Sequence, residues 1–397
     1  PKFTIGGSGI LQNPNEIGHG YEDEGVKIKK QKENLNWHFV AKDVHDFAWA
    51  ADPEYTHTRA QVPDGPELHF FYQPGEKTNE NWTKLKEYAV KHFQFMNETF
   101  GKYPYSVYSI IQGGDGGMEY PMCTLILGEG SFAGLVGVSA HEASHAWFQG
   151  VLGTNESLYP WIDEGYTDFS SNESLARMFN EENAHQDSYN SYFKLVARGL
   201  QEPLSQHADH YSTNTAYGTA AYSMGAMFLN QMKFIIGKET FYQGMRRYFN
   251  TWKFRHPEPN DFLRVMEKES GLQLHWYYRY WILTTKHIDY GITGIVDNQG
   301  KTEVTLKRVG EFPMPIDLLV TYKDGSKEVF YIPMSEMLGG KEQEDKSVKW
   351  TPLDMWNWVN PTYSFSIDKP VPQIESMEID PSQRMADIDR SNNTLKP

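Results

Sequence analysis

The sequence predicts an α+β fold, with a mainly helical centre that carries a few strands and with β-rich segments on either side. Three observations predict it. Apolar residues recur at helical spacing through residues 136–284, short β-branched and aromatic runs precede them, and alternating runs return beyond residue 289. The chain of 397 residues is long enough for two or three domains.

Residues 1–65 hold strand-like pieces, Trp37-His38-Phe39-Val40-Ala41 and Phe47-Ala48-Trp49-Ala50, broken by polar stretches containing Gly and Pro. At residue 66 the texture changes. Leu68 to Tyr72 reads as a strand, and Trp82 to Phe100 as a helix with Leu85, Tyr88, Ala89, Phe93, Met96 and Phe100 on one face. Gly101 is a natural helix stop. Tyr105 to Gln112 and Cys123 to Leu127 are β-branched and aromatic enough for strands. Helices follow around the His141–His145 segment, Glu164, Ser188–Leu200, Ala220–Phe234, Phe241–Asn250, Asn260–Lys268 and Leu274–Leu283. Asp317–Tyr322 and Lys327–Ile332 flank the turn residues Lys323-Asp324-Gly325-Ser326, a hairpin signal. The polar tail after 380 is expected to be loose.

Composition limits the partners. The formal charge of −15 argues against nucleic acid and anionic membranes, which reward Lys and Arg. No apolar run is long enough to span a bilayer. A single cysteine, Cys123, excludes an internal disulfide. The chain begins at Pro1 without an initiator Met, which implies processing or a cut from something longer.

His141-Glu142-Ala143-Ser144-His145 is the segment richest in chemistry, with eighteen residues between His145 and Glu164. Positions i and i+4 of a helix share a face, so both imidazoles can reach one metal ion. Catalytic zinc takes three N or O ligands and keeps a fourth position for water, and Glu142 beside it can take a proton from that water. An isolated match of this kind arises by chance on the order of a few per cent of the time. Trp161-Ile162-Asp163-Glu164-Gly165-Tyr166 lowers those odds by bringing a second helix with a carboxylate at a suitable distance. Asp168, one turn after Glu164, and Asp163 are each either the carboxylate partner of a metal-bound imidazole or a solvated acid at a helix start.

Two further segments have a bland and a functional reading. The stretch Gly113-Gly114-Asp115-Gly116-Gly117-Met118-Glu119-Tyr120-Pro121 is a flexible turn, or a place where backbone approaches a ligand closely beside the charge of Glu119. It is no phosphate-binding loop, because no Gly-Lys-Ser/Thr follows. Tyr222, in Tyr222-Ser223-Met224-Gly225-Ala226, is a core tyrosine or a phenol that hydrogen-bonds an oxyanion.

Together these segments resemble the aminopeptidase N and leukotriene hydrolase family of gluzincin metallopeptidases. His141-Glu142-x-x-His145 with Glu164 matches the gluzincin pattern, Gly116-Gly117-Met118-Glu119-Tyr120 looks like its G-x-M-E-N loop, and Tyr222-Ser-Met-Gly-Ala looks like its Tyr-x-Lys-Gly-Ala segment. The likeness is strongest over about 66–288. It implies a thermolysin-like, mainly helical zinc peptidase domain with a small mixed sheet over 66–288. Residues 1–65 would be the remnant of an N-terminal β domain and 289–397 a C-terminal β-sandwich-like domain, with the family's large helical C-terminal domain missing. One Zn2+ per chain would be held by His141, His145 and Glu164, with Glu142 as general base. Glu119, with Gly116, Gly117 and Met118, would bind a peptide's free N-terminus, and Tyr222 would steady the tetrahedral intermediate. The likeness also points toward an exported, periplasmic or secreted bacterial protein. Tyr120 for Asn, Asp163 for Asn and Met224 for Lys depart from the family's pattern without removing a group the chemistry requires. The rival readings are an endopeptidase or dual hydrolase on the same zinc site, and a non-catalytic peptide-binding scaffold.

Overall fold

The computed structural model describes residues 1–29, 34–114 and 116–397. Four short strands come first: β1 (Thr4–Gly7), β2 (Ile10–Leu11), β3 (Phe39–Val40) and β4 (Trp49–Asp52). They form two antiparallel pairs, β1 with β4 and β2 with β3, and one helical turn, α1 (Pro14–Ile17), follows β2. A five-stranded mixed sheet is next, built from β5 (Thr56–Gln61), β6 (Glu67–Tyr72), β7 (Val107–Gln112), β8 (Gly117–Tyr120) and β9 (Cys123–Ile126). Its spatial order is β5-β6-β7-β9-β8. The three inner strands are parallel and both edge strands antiparallel.

Three helices belong to this sheet: α2 (Glu76–Thr99), α3 (Phe132–Phe148) and α4 (Pro160–Phe179). α2 buries Trp82, Leu85, Ala89, Phe93 and Met96, the stripe that its sequence spacing predicts. It ends at Gly101, whose φ of +139° suits glycine and where a side chain would collide with the Phe249 ring. α3 is capped by Ser131, whose Oγ accepts from the Gly134 N–H at 3.1 Å. Nearly every side chain of α3 from Ser139 onward is buried, because α3 runs between α2, α4 and strands β8 and β9. Two buried tryptophans find acceptors: Trp82 donates to the Gly128 carbonyl at 3.0 Å and Trp147 to that of Gly101 at 2.7 Å. α4 starts at Pro160, where a missing N–H costs nothing, and ends on Asn180 in the left-handed conformation.

By density of contacts the chain divides into two units: Pro1–Gln186 with Tyr248–Glu258, and Asp187–Arg247 with Pro259–Pro397. All the elements above lie in the first. The second holds the helices Gly225–Ile236, Pro259–Ser270 and His275–Leu283, together with two antiparallel-rich sheets. One sheet has three strands, Tyr290–Asn298, Lys301–Arg308 and Thr362–Ile367. The other has five and includes the expected hairpin Ile316–Tyr322 and Lys327–Ile332, turned at Gly325 with φ +81°. The Phe330 ring of the larger sheet lies 5.2 Å from that of Phe365 in the smaller, tilted by 44°, so the two sheets touch through these side chains.

The structure departs from the sequence-based expectation at four places. The change of texture at 66 falls inside a hairpin, because β5, a polar edge strand, pairs with β6. The glycine-rich stretch is in part a strand, since Gly117–Tyr120 pairs with β9, while Asp115 lies outside the described residues. The helix expected from Ala220 opens instead with a π-type turn over Thr219–Met224 before Gly225–Ile236. The tail beyond 380 is tied down: Thr394–Leu395 pairs with Ile374–Ile379, and Met385 and Ala386 are buried. Its polar groups are the reason, for Asp380 accepts from the Met385 N–H at 2.6 Å and Gln231 accepts from that of Ala386 at 2.9 Å.

Candidate metal centre

Three acceptor atoms converge between α3 and α4. His141 Nε2 lies 3.3 Å from Glu164 Oε2, His145 Nε2 lies 3.2 Å from the same oxygen, and the two imidazole nitrogens are 3.2 Å apart. The i, i+4 spacing on α3 supplies the two imidazoles. The second turn of α4 supplies the carboxylate.

The outer nitrogens show what this triangle is built for. His145 Nδ1 faces Asp163 Oδ1 at 2.7 Å, and His141 Nδ1 faces Asp168 Oδ1 at 3.1 Å. Each of these contacts requires a proton on Nδ1, so in the neutral rings both Nε2 lone pairs point at one another and at a carboxylate. Such crowding of lone pairs is stabilised by a cation. Bonds of about 2.0–2.1 Å in tetrahedral geometry would set ligand atoms about 3.3 Å apart. The observed edges match zinc. The carboxylate–imidazole pairs are the outer support that metal-binding histidines use.

Electrostatics follow from the same contacts. Burial raises the Glu164 carboxyl, but hydrogen bonds from His141 and His145 outweigh it and hold the group well below the usual carboxylate range. Burial opposes charge on His141, yet its bonds to Asp168 and Glu164 lift it to about 9. His145 is likewise raised, against its burial, by Asp163 and Glu164.

Glu142 lies beside the triangle. It is 6% exposed, and its Oε2 has no hydrogen-bond partner among the described residues. Burial pushes its carboxyl up to about 7, with the two histidines pulling the other way. Carboxylate oxygens of Glu142 and Glu119 and a His145 nitrogen lie within 4.8 Å of one another.

β8 explains the glycines. Alternation along a strand puts Gly117 and Glu119 on one face. A Cβ at Gly117 would run into Glu142 Oε1, so glycine is what lets β8 close on α3. Glu119 then reaches the site from the same face. Burial raises its carboxyl, and Asp163 and Glu164 add to the rise. Gly116 faces open space, and the Met118 side chain is exposed, its carbonyl accepting from Thr124 Oγ1 at 2.9 Å. Tyr222 belongs to the second unit, half-buried within the π-type turn.

Two residues of the site escape sequence reasoning. Thr167 Oγ1 sits 3.1 Å from His145 Nδ1, sharing that nitrogen with Asp163. Glu156, in the turn between α3 and α4, brings a carboxylate oxygen within 4.8 Å of Glu119 and Asp163. Thr167 is one helical turn from Asp163 and was open to the argument that identified Asp168. No spacing rule points to Glu156.

With this geometry in view, the likeness to known proteins is specific. Residues 86–281 match the peptidase family M1 domain. The chain carries a peptidase family M1 domain. Aminopeptidase M1-A of Oryza sativa subsp. japonica is 23% identical over 291 residues, 66% of this chain and 33% of that protein. The alanine/arginine aminopeptidase of Saccharomyces cerevisiae is 23% identical over 183 residues, 43% of this chain and 20% of that protein. The chain thus spans a third or less of the length of these relatives. In fold, it resembles aminopeptidase A of Legionella pneumophila, solved with aspartic acid, at a TM-score of 0.64 and 15% identity over 97% of this chain and 42% of that one. An M1 zinc metallopeptidase from Deinococcus radiodurans, solved with a Tyr-Ser-Ala substrate, gives a TM-score of 0.52 at 15% identity over 71% of this chain and 61% of that one. The M1 domain of this chain therefore has the expected α+β architecture, a helical domain on a small mixed sheet.

Proposed function

We propose that this M1 chain is a zinc-dependent aminopeptidase that releases N-terminal residues from peptides. The observation that carries the reading is the triangle of His141, His145 and Glu164, with edges of 3.2–3.3 Å, beside a buried carboxyl at Glu142. Those three residues would hold one zinc ion, which when bound polarises a scissile carbonyl and acidifies a water. Glu142, at about 7, is matched to neutral pH and takes the proton of the attacking water, then returns it to the leaving amine. Asp163 and Asp168 hold the imidazoles in the tautomer that presents Nε2 inward. Glu119 captures the substrate's free ammonium and so selects which peptide bond reaches the triangle.

Metal analysis combined with a panel of aminoacyl amides and N-blocked peptides tests the proposal. Zinc-dependent release from the free-amine members alone is expected. Cleavage within blocked peptides would favour an endopeptidase, and no turnover at full zinc content a peptide-binding scaffold.

Two variants probe single roles. Glu164→Ala should lower zinc affinity first, by roughly 10-fold or more, with activity partly restored by excess zinc. Zinc stoichiometry equal to wild type would remove Glu164 from the ligand set. For Tyr222 the reading rests on its sequence motif. Tyr222→Phe keeps the ring and should cut kcat by roughly 10²–10³ with KM little changed, the magnitude of one lost oxyanion donor. A lowered melting temperature with normal kcat would make it a core tyrosine.

A further inference from the structure

α2, α3 and α4 meet at one buried imidazole outside the candidate metal centre. His92 of α2 is 1% exposed, and the two serines that flank its ring, Ser144 of α3 and Ser174 of α4, are fully buried. The protons of this group follow in one order. A carbonyl can only accept, so Ser144 Oγ donates to the Ala140 carbonyl at 2.8 Å. His92 Nε2, 3.3 Å from the same hydroxyl, then donates to it. Burial holds the imidazole neutral, with its pKa pushed down to about 3, so Nδ1 keeps a lone pair and accepts from Ser174 Oγ at 2.9 Å.

Both ends of this hydrogen-bonded chain lie on the helices that carry the metal centre. On α3, Ala140 and Ser144 immediately precede His141 and His145, so the bond between them runs alongside the turn that bears both imidazoles. On α4, Asp163, Thr167 and Ser174 recur at spacings of four and seven residues and share one helix face. Asp163 and Thr167 meet His145 Nδ1 at 2.7 and 3.1 Å. α3 and α4 are therefore joined at two places along that face, directly at His145 and through His92 further on.

We propose that His92 is a positioning residue for the metal centre: by bonding Ser144 and Ser174 at once, it fixes how α3 lies against α4 and so the span of the ligand triangle. The proposal rests on the metal-centre reading given above. Two of the candidate ligands come from α3 and one from α4, so a slip between the helices changes the 3.2–3.3 Å edges that reach Glu164. The edge between the two histidines, within α3, stays as it is. Tetrahedral zinc tolerates little of this, since its bonds to nitrogen and oxygen are all near about 2.0–2.2 Å. An apolar side chain at 92 could fill the space without setting the register, because apolar burial has no direction and the two hydrogen bonds do.

Zinc affinity tests the proposal without turnover. The metal-free chain is titrated with zinc against a chelator, well below its melting temperature, for wild type, His92→Leu, His92→Gln and Ser174→Ala. His92→Leu should bind zinc about tenfold more weakly, the lower end of the loss that follows removal of a group orienting metal ligands. His92→Gln, whose amide keeps a donor and an acceptor, should recover most of that loss. Visible spectra of the cobalt(II)-loaded proteins should follow the same order, altered in His92→Leu and close to wild type in His92→Gln. A lower melting temperature for His92→Leu, with the zinc affinity and spectrum of wild type, would make His92 a core residue only and overturn the proposal. Equal weakening by Leu and Gln would assign the effect to volume and overturn it too. If His92→Leu does not fold, Ser174→Ala removes only the bond to α4: weaker zinc binding then supports the proposal, and wild-type affinity overturns it. If wild type itself holds no zinc, the metal-centre reading fails and this inference with it.

Discussion

Glu142→Gln is expected to retain zinc and fold while kcat falls by about 10²–10⁴, the usual worth of a positioned proton acceptor. The amide has the shape of the carboxyl, so the close approach of Gly117 to Oε1 is preserved and β8 stays against α3. What is lost is the capacity to accept a proton. The melting temperature should not fall, because a buried group whose charge is opposed by desolvation gives way to a neutral one. Metal analysis, melting and steady-state kinetics on the same preparation settle the matter. Turnover near wild type at full zinc content would show that Glu142 is not the base.

The convergence of His141, His145 and Glu164, with Glu142 beside them, was legible in the sequence because helical periodicity is rigid. Four residues along α3 return to the same face, and the sheet and the helices α2 and α4 leave that face only one direction in which to look. The same regularity carried α2, whose buried positions Leu85, Ala89, Phe93 and Met96 repeat at helical spacing. It also brought Asp163 and Asp168 into consideration. Which aspartate serves which histidine depended on the crossing of α3 and α4, a tertiary property, and the pairing proved to be Asp163 with His145 and Asp168 with His141.

Elsewhere local signals pointed the wrong way or were silent. The run Thr56–Gln61 is polar and half-exposed, as an edge strand is free to be, so it carries no alternating pattern. Glycines at 113–117 suppress the strand signal of Gly117–Tyr120 because they lack the side chains by which strands are recognised. The polar tail reads as loose only if its Asp and Asn side chains are taken to face water. Several instead cap its own backbone, as Asp380 and Asp387 do. Glu156 was invisible for a different reason. Its place beside Glu119 is set by the turn between α3 and α4 and by the register of β8, and both are long-range consequences of packing.

Glu119→Ala should cripple cleavage of free-amine peptides and hardly change any cleavage of the N-acetylated counterparts. The carboxylate sits on the α3 face of β8, near Glu142 and His145 on one side and Glu156 and Asp163 on the other. A substrate ammonium placed there is partly withdrawn from water, and removing its partner costs roughly 2–5 kcal/mol, chiefly the penalty of leaving that charge unpaired. An acetylated terminus has no charge to strand, so it should not register the loss. The effect should fall on kcat/KM and not on zinc content, since the three candidate ligands are untouched. Kinetics of one peptide, free and acetylated, on wild type and variant give the answer. An equal loss on both forms would mean that Glu119 only shapes β8. A loss confined to the free form would identify the charge itself as what reads the amine.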